Sequence, residues 1–286
     1  MIKICKDIDD IRNVVKGWKK EGLTVGLVPT MGYLHEGHES LIRRAVSEND
    51  KVIVSDFVNP IQFAPNEDLD EYPRDLDRDA MICEQVKADI LFVPEYEEMY
   101  RGLNKTFVTV DDLTKELCGK SRPTHFRGVC IVVTKLFNIV NPDRAYFGEK
   151  DAQQLAVIRQ MVSDLNFDIE IVGCPIIREE DGLAKSSRNK YLNEEERKAA
   201  PIINHSLRMA KEEILAGETD VSKIIEMIKN NIETEKTAKI DYIEIVDAKT
   251  IEKVEIIDKP ILCAVAVRFG ETRLIDNFGY IFKEID

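Results

Sequence analysis

The chain has 286 residues, and its 53 acidic and 40 basic side chains give it a formal net charge of −13. This balance excludes no enzyme class, but it argues against a nucleic-acid partner, because no region carries the basic excess that binding a phosphate backbone requires. No apolar run approaches the roughly 20 residues of a membrane span, and the first residues lack the apolar stretch of a signal peptide. We therefore expect a cytoplasmic protein without membrane contact.

The cysteines do not suggest a disulfide framework or a metal site. There are six of them, scattered without a Cys-x-x-Cys pair or a histidine at ligand spacing, and most lie in apolar runs. We predict that they are reduced thiols of the core. They are Cys5, Cys83, Cys118, Cys130, Cys174 and Cys263.

The N-terminal half alternates short apolar runs with amphipathic stretches, a pattern that predicts a mainly parallel sheet covered by helices. The predicted strands are residues 25–28, 51–57, 89–93, 106–110, 144–147 and 168–172. The predicted helices are residues 39–49, 76–87, 127–139 and 153–165.

Beyond residue 193 the pattern changes to two helices followed by three alternating runs, which indicates a separate small α+β unit with a boundary near residues 175–181. The predicted helices of this unit are residues 194–216 and 221–235, and its strands are residues 242–246, 262–268 and 272–277.

A glycine turn with two histidines follows the first predicted strand of the N-terminal half, residues 25–28. Residues 29–38 read Pro-Thr-Met-Gly-Tyr-Leu-His-Glu-Gly-His and lead into an amphipathic helix. The first amides of a helix have no partner within it and favour an anion, and the imidazoles can donate to phosphate oxygens. Gly32 and Gly37 let the backbone approach such a ligand. The turn therefore predicts a phosphate site.

Two other interpretations of this turn compete with phosphate binding. A histidine beside a turn is often only a surface or capping residue, although a pair in one glycine turn makes that less common. Zinc is the other alternative, but the metalloprotease pattern needs its histidines four apart on a helix, and His35 and His38 are three apart across a glycine.

Polar side chains also mark two connections. Residues 59–68 follow a strand end and carry Asn59 and Gln62, which suit a polar small molecule, although a proline-rich turn would look the same. Residues 118–128 carry three cations and His125 ahead of a helix, which fits either an anionic ligand or a solvated loop.

Two later segments carry cations suited to phosphate. Lys150 lies in a glycine-led turn after a strand, where it can place a point charge on a phosphate. Residues 175–189 form a mobile-looking loop with a lysine, two serines and an arginine, which suits a polyphosphate clamp and equally a plain surface loop.

Four of these motifs, in the same order, resemble the pantoate:β-alanine ligase family, also called pantothenate synthetases. They are residues 29–38, 57–63, 147–154 and 181–189, and the segments 72–75 and 125–129 resemble it too. The resemblance spans nearly the whole chain. It implies a Rossmann-like parallel-sheet domain over residues 1–177, which binds ATP and pantoate, and a smaller α+β lid domain over residues 178–286.

The resemblance further implies a reaction in two steps. ATP adenylates the carboxylate of (R)-pantoate and releases diphosphate, and the amine of β-alanine then attacks the pantoyl adenylate, giving pantothenate and AMP. ATP would be the co-substrate, magnesium would accompany it, and the protein would be a homodimer.

The family's functional residues fall on matching positions. His35, His38 and Lys150 would be catalytic, with His38 as a proton donor. Gln62 and Gln154 would bind pantoate, Gln62 would also bind β-alanine, and Asp79 would help to hold magnesium. The residues assigned to ATP are Met31, Gly32, Tyr33, Leu34, His35, Glu36, Gly37, His38, Gly148, Glu149, Lys150, Asp151, Ile177, Lys185, Ser186, Ser187 and Arg188.

Two departures from the family pattern bear on this site. Lys185 and Asp56 stand where relatives usually carry apolar residues. The extra lysine either aids phosphate binding or points to solvent, and we favour solvent. A carboxylate at position 56 on a buried face has to find a partner or take up a proton.

Two other functions remain open on the sequence alone. One is another nucleotidyltransferase of the same superfamily acting on a phosphorylated acceptor, and the other is a non-catalytic nucleotide-binding module. The neutral Gln62 and Gln154 argue against both, because they suit a hydroxy acid bound by hydrogen bonds.

Overall fold

The structure is a computed structural model that describes residues 2–65, 67–102 and 104–281. Asn66, within the connection 59–68, and residues 282–286 of the predicted second domain lie outside the described residues. The chain divides into two compact units. The first comprises Met1–Asp111, Arg122–Glu149 and Gln154–Pro175, and the second comprises Asp112–Ser121, Lys150–Gln153 and Ile176–Asp286.

This division differs from two contiguous domains separated after residue 177. Two short segments of the N-terminal half belong to the second unit, because side chains tie them to it. The Leu117 amide donates to Glu244 Oε2 at 3.2 Å, and Gln153 Nε2 joins the two segments by donating to the carbonyls of Leu113 and Glu116, both at 2.8 Å. Asn277 Nδ2 donates to the carbonyl of Lys150 at 2.8 Å.

The first unit contains a parallel sheet of six strands in the order β1-β4-β3-β2-β5-β6. The strands are β1 (Lys3–Cys5), β2 (Val25–Thr30), β3 (Lys51–Asp56), β4 (Ile90–Phe92), β5 (Arg144–Gly148) and β6 (Glu170–Cys174). Their central residues are almost all buried, as expected for strands covered on both faces.

Helices connect these strands. They are α1 (Ile8–Lys20), α2 (Glu36–Glu48), α3 (Leu76–Gln85), α4 (Tyr96–Tyr100), α5 (Leu117–Ser121, in the second unit), α6 (His125–Val140) and α7 (Ala152–Asp164). Each crossover joins parallel strands, which is the βαβ arrangement predicted from the alternating pattern. The predicted Rossmann-like fold is confirmed.

The second unit contains a three-stranded antiparallel sheet in the order β7-β8-β9, with helices packed on it. Its further elements are α8 (Glu194–Ala199), α9 (Ile202–Leu215), α10 (Val221–Ile232), β7 (Ala238–Asp247), β8 (Ile261–Phe269) and β9 (Thr272–Tyr280). Ile203, Ile228 and Val265 are fully or almost fully buried in its core.

Three predictions about elements were wrong or incomplete. Residues 106–110 form no strand, although they alternate. The single helix over residues 194–216 is two helices, divided where Pro201 has no amide to continue the first. The strand Lys3–Cys5 was missed because three residues are too few to show a period.

All six cysteines lie among the described residues, where they are buried and form no disulfide, as predicted. Among the described residues, no helix is both long and apolar enough to cross a membrane.

Candidate active site

The turn with two histidines lies at the point where the sheet of the first unit reverses its order. β2 lies between β3 and β5 in the sheet. The chain continues from β2 to β3 and β4 on one side, and it then crosses to β5 and β6 on the other side. In open α/β sheets, ligands bind beyond the carboxyl ends of the strands at such a switch point. Residues 31–35 follow β2 there, and Gly148 ends β5.

The turn reverses the chain with two consecutive residues in the left-handed region, Gly32 (φ 75°) and Tyr33 (φ 51°). Asp79 on α3 holds them, because its two carboxylate oxygens accept the amides of Tyr33 at 2.6 Å and Leu34 at 2.7 Å. Thr30 Oγ1 accepts the Gly32 amide at 3.1 Å. The left-handed conformation of Tyr33 costs about 1–2 kcal/mol, which these bonds offset.

The hydrogen bonds of the two histidines define where their protons are. His35 caps α2, and its Nδ1 accepts the Gly37 amide at 3.1 Å. His38 Nδ1 accepts the His35 amide at 3.3 Å. Because Nδ1 is an acceptor in both, each neutral imidazole carries its hydrogen on Nε2. The rings lie side by side with centroids 4.1 Å apart, which makes them a pair of Nε2–H donors.

This arrangement corrects one part of the sequence interpretation. We expected the backbone amides around the start of α2 to be available to phosphate. Amides along the turn instead donate to acceptors of the protein itself, and the amides concerned are those of Gly32, Tyr33, Leu34, His35 and Gly37. The imidazoles, rather than these amides, are therefore the donors suited to an anion.

A chain of hydrogen bonds orients Gln62. Tyr100 donates to Asn59 Oδ1 at 2.7 Å, so Asn59 Nδ2 is directed to Gln62 Oε1 at 3.1 Å and to the carbonyl of Gly128 at 3.0 Å. With its oxygen occupied, Gln62 presents its amide nitrogen, which lies 3.1 Å from Met31 Sδ. Gln62 is thus set up as a donor to an oxygen of an acid or alcohol.

Glycine at position 128 is required for this geometry. A Cβ there would lie 2.4 Å from Gln62 Cα, so only glycine lets α6 approach the 3₁₀ turn Pro60–Gln62 closely. Gln62 is buried, with 8% of its surface exposed, whereas Gln154 near the start of α7 is half-buried.

Two of the three cations of residues 118–128, Arg122 and Arg127, are used within the protein, and Lys120 is exposed. Arg122 forms two bonds to the Glu67 carboxylate, at 2.5 and 2.6 Å, and this pairing holds the pKa of Glu67 below its usual value against the effect of burial. His125 Nδ1 donates to the carbonyl of Gln62 at 3.0 Å, and the Arg127 guanidinium lies 3.5 Å from the Phe107 ring centroid. This segment supports the Gln62 turn rather than offering an anion site.

In the second unit, the predicted clamp is an ordered hairpin. Arg178 and Ala184 form an antiparallel bridge, and the Lys185 amide donates to the Ile177 carbonyl at 2.9 Å. Arg178 anchors the hairpin through two bonds, of 2.6 and 3.0 Å, to Asp276 on β9, whose side chain is 2% exposed. The segment that the sequence indicated as a loop therefore forms a hairpin.

Ser186, Ser187 and Arg188 follow the hairpin directly. Ser186 Oγ accepts the Arg188 amide at 3.3 Å and caps the 3₁₀ turn Ser187–Tyr191. Lys185 does not point to solvent, because its ammonium pairs with Glu179 at 2.9 Å and its side chain is only 17% exposed. The extra lysine is thus a second anchor of the hairpin.

Lys150 belongs to the same unit and has a distinct electrostatic environment. Burial lowers the pKa of its ammonium, Arg188 lowers it further, and Asp151 and Asp276 raise it. A lysine that is desolvated and beside a second cation gains most from an anionic ligand.

The hydrogen bonds of Asp79 bear on its predicted role as a magnesium ligand. Asp79 is fully buried, and each of its oxygens already accepts a backbone amide. Across residues 2–65, 67–102 and 104–281, no three His, Cys, Asp or Glu side chains group in a way that could hold a metal ion. Its carboxylate therefore supports the turn, and its role as a magnesium ligand stays a prediction, since an oxygen that accepts one amide keeps a second lone pair.

Several residues that shape the site were not predicted. Tyr100, Arg178 and Asp276 had no signal in the sequence, because each acts on a partner at least 41 residues away. Asp56 was singled out only as a departure, and its position against Gly32, where an added Cβ would lie 2.2 Å from Asp56 Oδ1, was not expected.

Comparison with known proteins gives consistent results. The family model described as pantoate-beta-alanine ligase matches residues 3–279. A pantothenate synthetase of Enterococcus faecalis is 64% identical over 277 residues, which cover 97% of this chain and 98% of the relative. One of Clostridium acetobutylicum is 64% identical over 279 residues, covering 98% of this chain and 99% of the relative.

Solved structures agree with these relatives. The crystal structure of a pantothenate synthetase from Thermus thermophilus has a TM-score of 0.91 at 43% identity, covering 97% of this chain and 99% of that one. The pantoate-beta-alanine ligase of Francisella tularensis, solved in complex with beta-gamma ATP and beta-alanine, has a TM-score of 0.79 at 36% identity and covers 97% of each chain.

Proposed function

Since the chain belongs to the pantoate-beta-alanine ligase family, we propose that it joins (R)-pantoate to β-alanine through a pantoyl adenylate, with AMP and diphosphate as the other products. It is an ATP-dependent ligase that makes pantothenate. The intermediate, the leaving groups and the roles of single residues make up the proposal.

In the first step, a carboxylate oxygen of pantoate attacks the α-phosphorus of ATP, and the bond to the bridging oxygen of diphosphate breaks. Negative charge accumulates on phosphate oxygens, so the protein has to place donors rather than supply a nucleophile. The pair of Nε2–H groups on His35 and His38 is the single observation that carries this assignment, because both tautomers are set by backbone amides.

Other residues have roles in the same scheme. Lys150 and the segment from Ser186 to Arg188 would neutralise phosphate charge, whereas the ammonium of Lys185, assigned to ATP from the resemblance, pairs with Glu179. Gln62 would donate to pantoate and then to β-alanine, and Gln154 would bind pantoate. The remaining ATP contacts would come from Met31 to Leu34, Glu36, Gly37, Gly148, Glu149, Asp151 and Ile177.

In the second step, the neutral amine of β-alanine attacks the acyl carbon, and AMP leaves with one oxygen of the former carboxylate. Magnesium would enter on the phosphates of ATP, with Asp79 as its predicted protein ligand. A homodimer in the cytoplasm completes the proposal, and light scattering of the purified chain tests its oligomeric state.

Exchange of radiolabelled diphosphate into ATP tests the proposed intermediate. With pantoate present and β-alanine absent, we expect exchange, because only the first step can run and reverse. His38→Asn removes one of the two donors and should slow this exchange by about 10²-fold to 10³-fold. His205→Asn is the matched control, because His205 is exposed on α9 and should leave the rate unchanged.

Two outcomes would contradict the proposal. Exchange that needs β-alanine would mean that no adenylate forms by itself. ATP binding without any exchange or product would favour a non-catalytic nucleotide-binding module instead.

A further inference from the structure

Two neighbouring residues of β9 hold the two cationic segments of the second unit. Asp276 accepts two hydrogen bonds from the Arg178 guanidinium, at 2.6 and 3.0 Å, and so anchors the hairpin that leads into residues 186–188. Asn277 donates from Nδ2 to the carbonyl of Lys150 at 2.8 Å. A single strand therefore supports both segments that the proposed reaction needs for phosphate.

Asp276 and Asn277 leave β9 on opposite faces of the antiparallel sheet, because successive side chains of a strand alternate. Asp276 is in register with Val265 of β8, whose side chain is buried in the core of this unit, and Asn277 is in register with Ala264. Both side chains are buried, and Asp276 Oδ1 also accepts the Asn277 amide at 2.8 Å. The hairpin and Lys150 are thus held from the two faces of one strand, at adjacent positions.

Lys150 depends on such a contact because its own secondary structure is minimal. It is the middle residue of a 3₁₀ turn of three residues, Glu149–Asp151. A turn this short closes few hydrogen bonds of its own, so tertiary contacts set the position of its backbone. Asn277 supplies such a contact to Lys150 itself, and Gln153 Nε2 ties the residues that follow to two carbonyls of residues 112–121, both at 2.8 Å.

The charges around Lys150 make its position important for rate. Burial lowers the pKa of its ammonium, Asp151 raises it, and Arg188 and Asp276 act on it in opposite senses. A desolvated cation interacts strongly with a phosphate at contact distance, and a displacement of about 1 Å can remove most of its effect on rate. Holding the backbone of Lys150 therefore matters for catalysis as well as for folding.

We propose that Asn277 is a positioning residue of the ligase reaction, which holds the Lys150 carbonyl so that the Lys150 ammonium and the hairpin anchored by Asp276 meet the phosphates of ATP as one rigid group. The inference rests on the proposed function in one respect, namely that Lys150 binds these phosphates. Asn277 acts through the backbone of Lys150 and contributes a fixed position rather than a charge.

Asn277→Leu tests the donor, because leucine has a similar shape and can neither donate nor carry a charge. We expect the pantoate-dependent exchange of diphosphate into ATP to slow by about 10-fold at saturating ATP, the effect of one lost hydrogen bond. The Michaelis constant for ATP should change by about 2-fold or less, because the charge that Lys150 meets grows in the transition state. Asn230→Leu, at an exposed asparagine of α10 in the same unit, is the matched control and should leave both quantities unchanged.

A double variant separates positioning from general damage to the fold. In the Lys150→Met background the ammonium is gone, so Asn277→Leu should slow the residual exchange by about 2-fold or less. A residue that only stabilises the unit would slow exchange by the same factor in both backgrounds, because independent effects add. Unfolding by urea shows that each variant is folded in the assay, and Asn277→Ala takes the place of Asn277→Leu if the latter does not fold.

Equal exchange rates in Asn277→Leu and the natural chain would overturn the inference, and so would an undiminished loss in the Lys150→Met background. Failure of the proposed function is seen separately. It appears as a natural chain without pantoate-dependent exchange, or as a Lys150→Met variant that exchanges at the natural rate.

Discussion

The histidine turn of the first unit and the hairpin of the second unit both present groups suited to phosphate, but they are held in different ways. In the turn, backbone amides set the tautomers of His35 and His38 over spacings of two and three residues. In the hairpin, the anchor is an ion pair between Arg178 and Asp276, which are 98 residues apart. A motif that contains its own supports can be recognised in a sequence, and one that depends on a distant residue cannot.

The two regions also differ in charge. The turn offers neutral imidazoles above one buried carboxylate, whereas the hairpin and Lys150 form a network of formal charges. We therefore expect single substitutions in the second unit to have larger effects on stability, and substitutions in the turn to act mainly on ATP affinity and rate.

Among substitutions in the second unit, the largest effect on rate is expected at Lys150. This residue is the exception to the division between stability and rate. Lys150→Met removes a desolvated charge from a place suited to phosphate, and the exchange rate should fall by about 10²-fold to 10³-fold. Lys120→Met, at an exposed lysine of α5, is the control and should leave exchange unchanged. A rate within about 3-fold of the natural chain, the effect of a single weak contact, would remove Lys150 from the catalytic residues.

Asp276→Asn should have the largest effect on stability. It leaves Arg178, whose side chain is 27% exposed, without its buried anionic partner, which costs roughly 3–5 kcal/mol in the free energy of unfolding by urea. The matched surface pair is Arg144 with Glu170, whose side chains are 34% and 63% exposed, so Glu170→Gln should cost about 1 kcal/mol or less. Equal losses in the two variants would show that the hairpin needs no charged anchor.

The pH dependence of stability sharpens the account of the turn. The pKa of Asp56 rises from 3.8 to about 7 on folding, so its protonated form stabilises the fold fully below pH 3.8, and this contribution is lost as the pH rises towards 7. Relative to Asp56→Asn, the natural chain should lose roughly 2–4 kcal/mol in the free energy of unfolding between those limits. Parallel curves for the two chains would contradict a proton on Asp56.

The smallest effect is expected at Lys185. Because its ammonium pairs with Glu179, Lys185→Met should change the Michaelis constant for ATP by about 3-fold or less. The double variant Lys185→Met with Glu179→Gln should behave like the single variant. A much larger increase would mean that the lysine leaves Glu179 for the phosphates.

The architecture of the first unit was predictable because its strands are nearly continuous apolar runs separated by amphipathic helices. Residues 106–110 show the limit of that approach, since alternation over five residues carries no information about whether a partner strand exists. The membership of residues 112–121 in the second unit depends on distant contacts, such as that of the Leu117 amide with Glu244 and that of Cys118 with Tyr242, which no local pattern could indicate.

The residues of the site divide in the same way, into those that a local motif contains and those whose orientation depends on a distant residue. The histidine turn and Gln62 were found from their motifs, and the orientation of Gln62 depends on Tyr100, 38 residues further along the chain. The family resemblance assigned Asp79 to magnesium, and a carboxylate in a sequence gives no sign of whether its oxygens are already occupied. Only the contacts to the Tyr33 and Leu34 amides show that they are.

Transfer of ¹⁸O from the carboxylate of labelled pantoate tests the central claim, formation of a pantoyl adenylate at the histidine turn. In a complete reaction with β-alanine, we predict that one labelled oxygen appears in AMP and none in diphosphate, because the carboxylate oxygen that attacks the α-phosphorus stays on it. Label in inorganic phosphate, with ADP as the nucleotide product, would contradict the account.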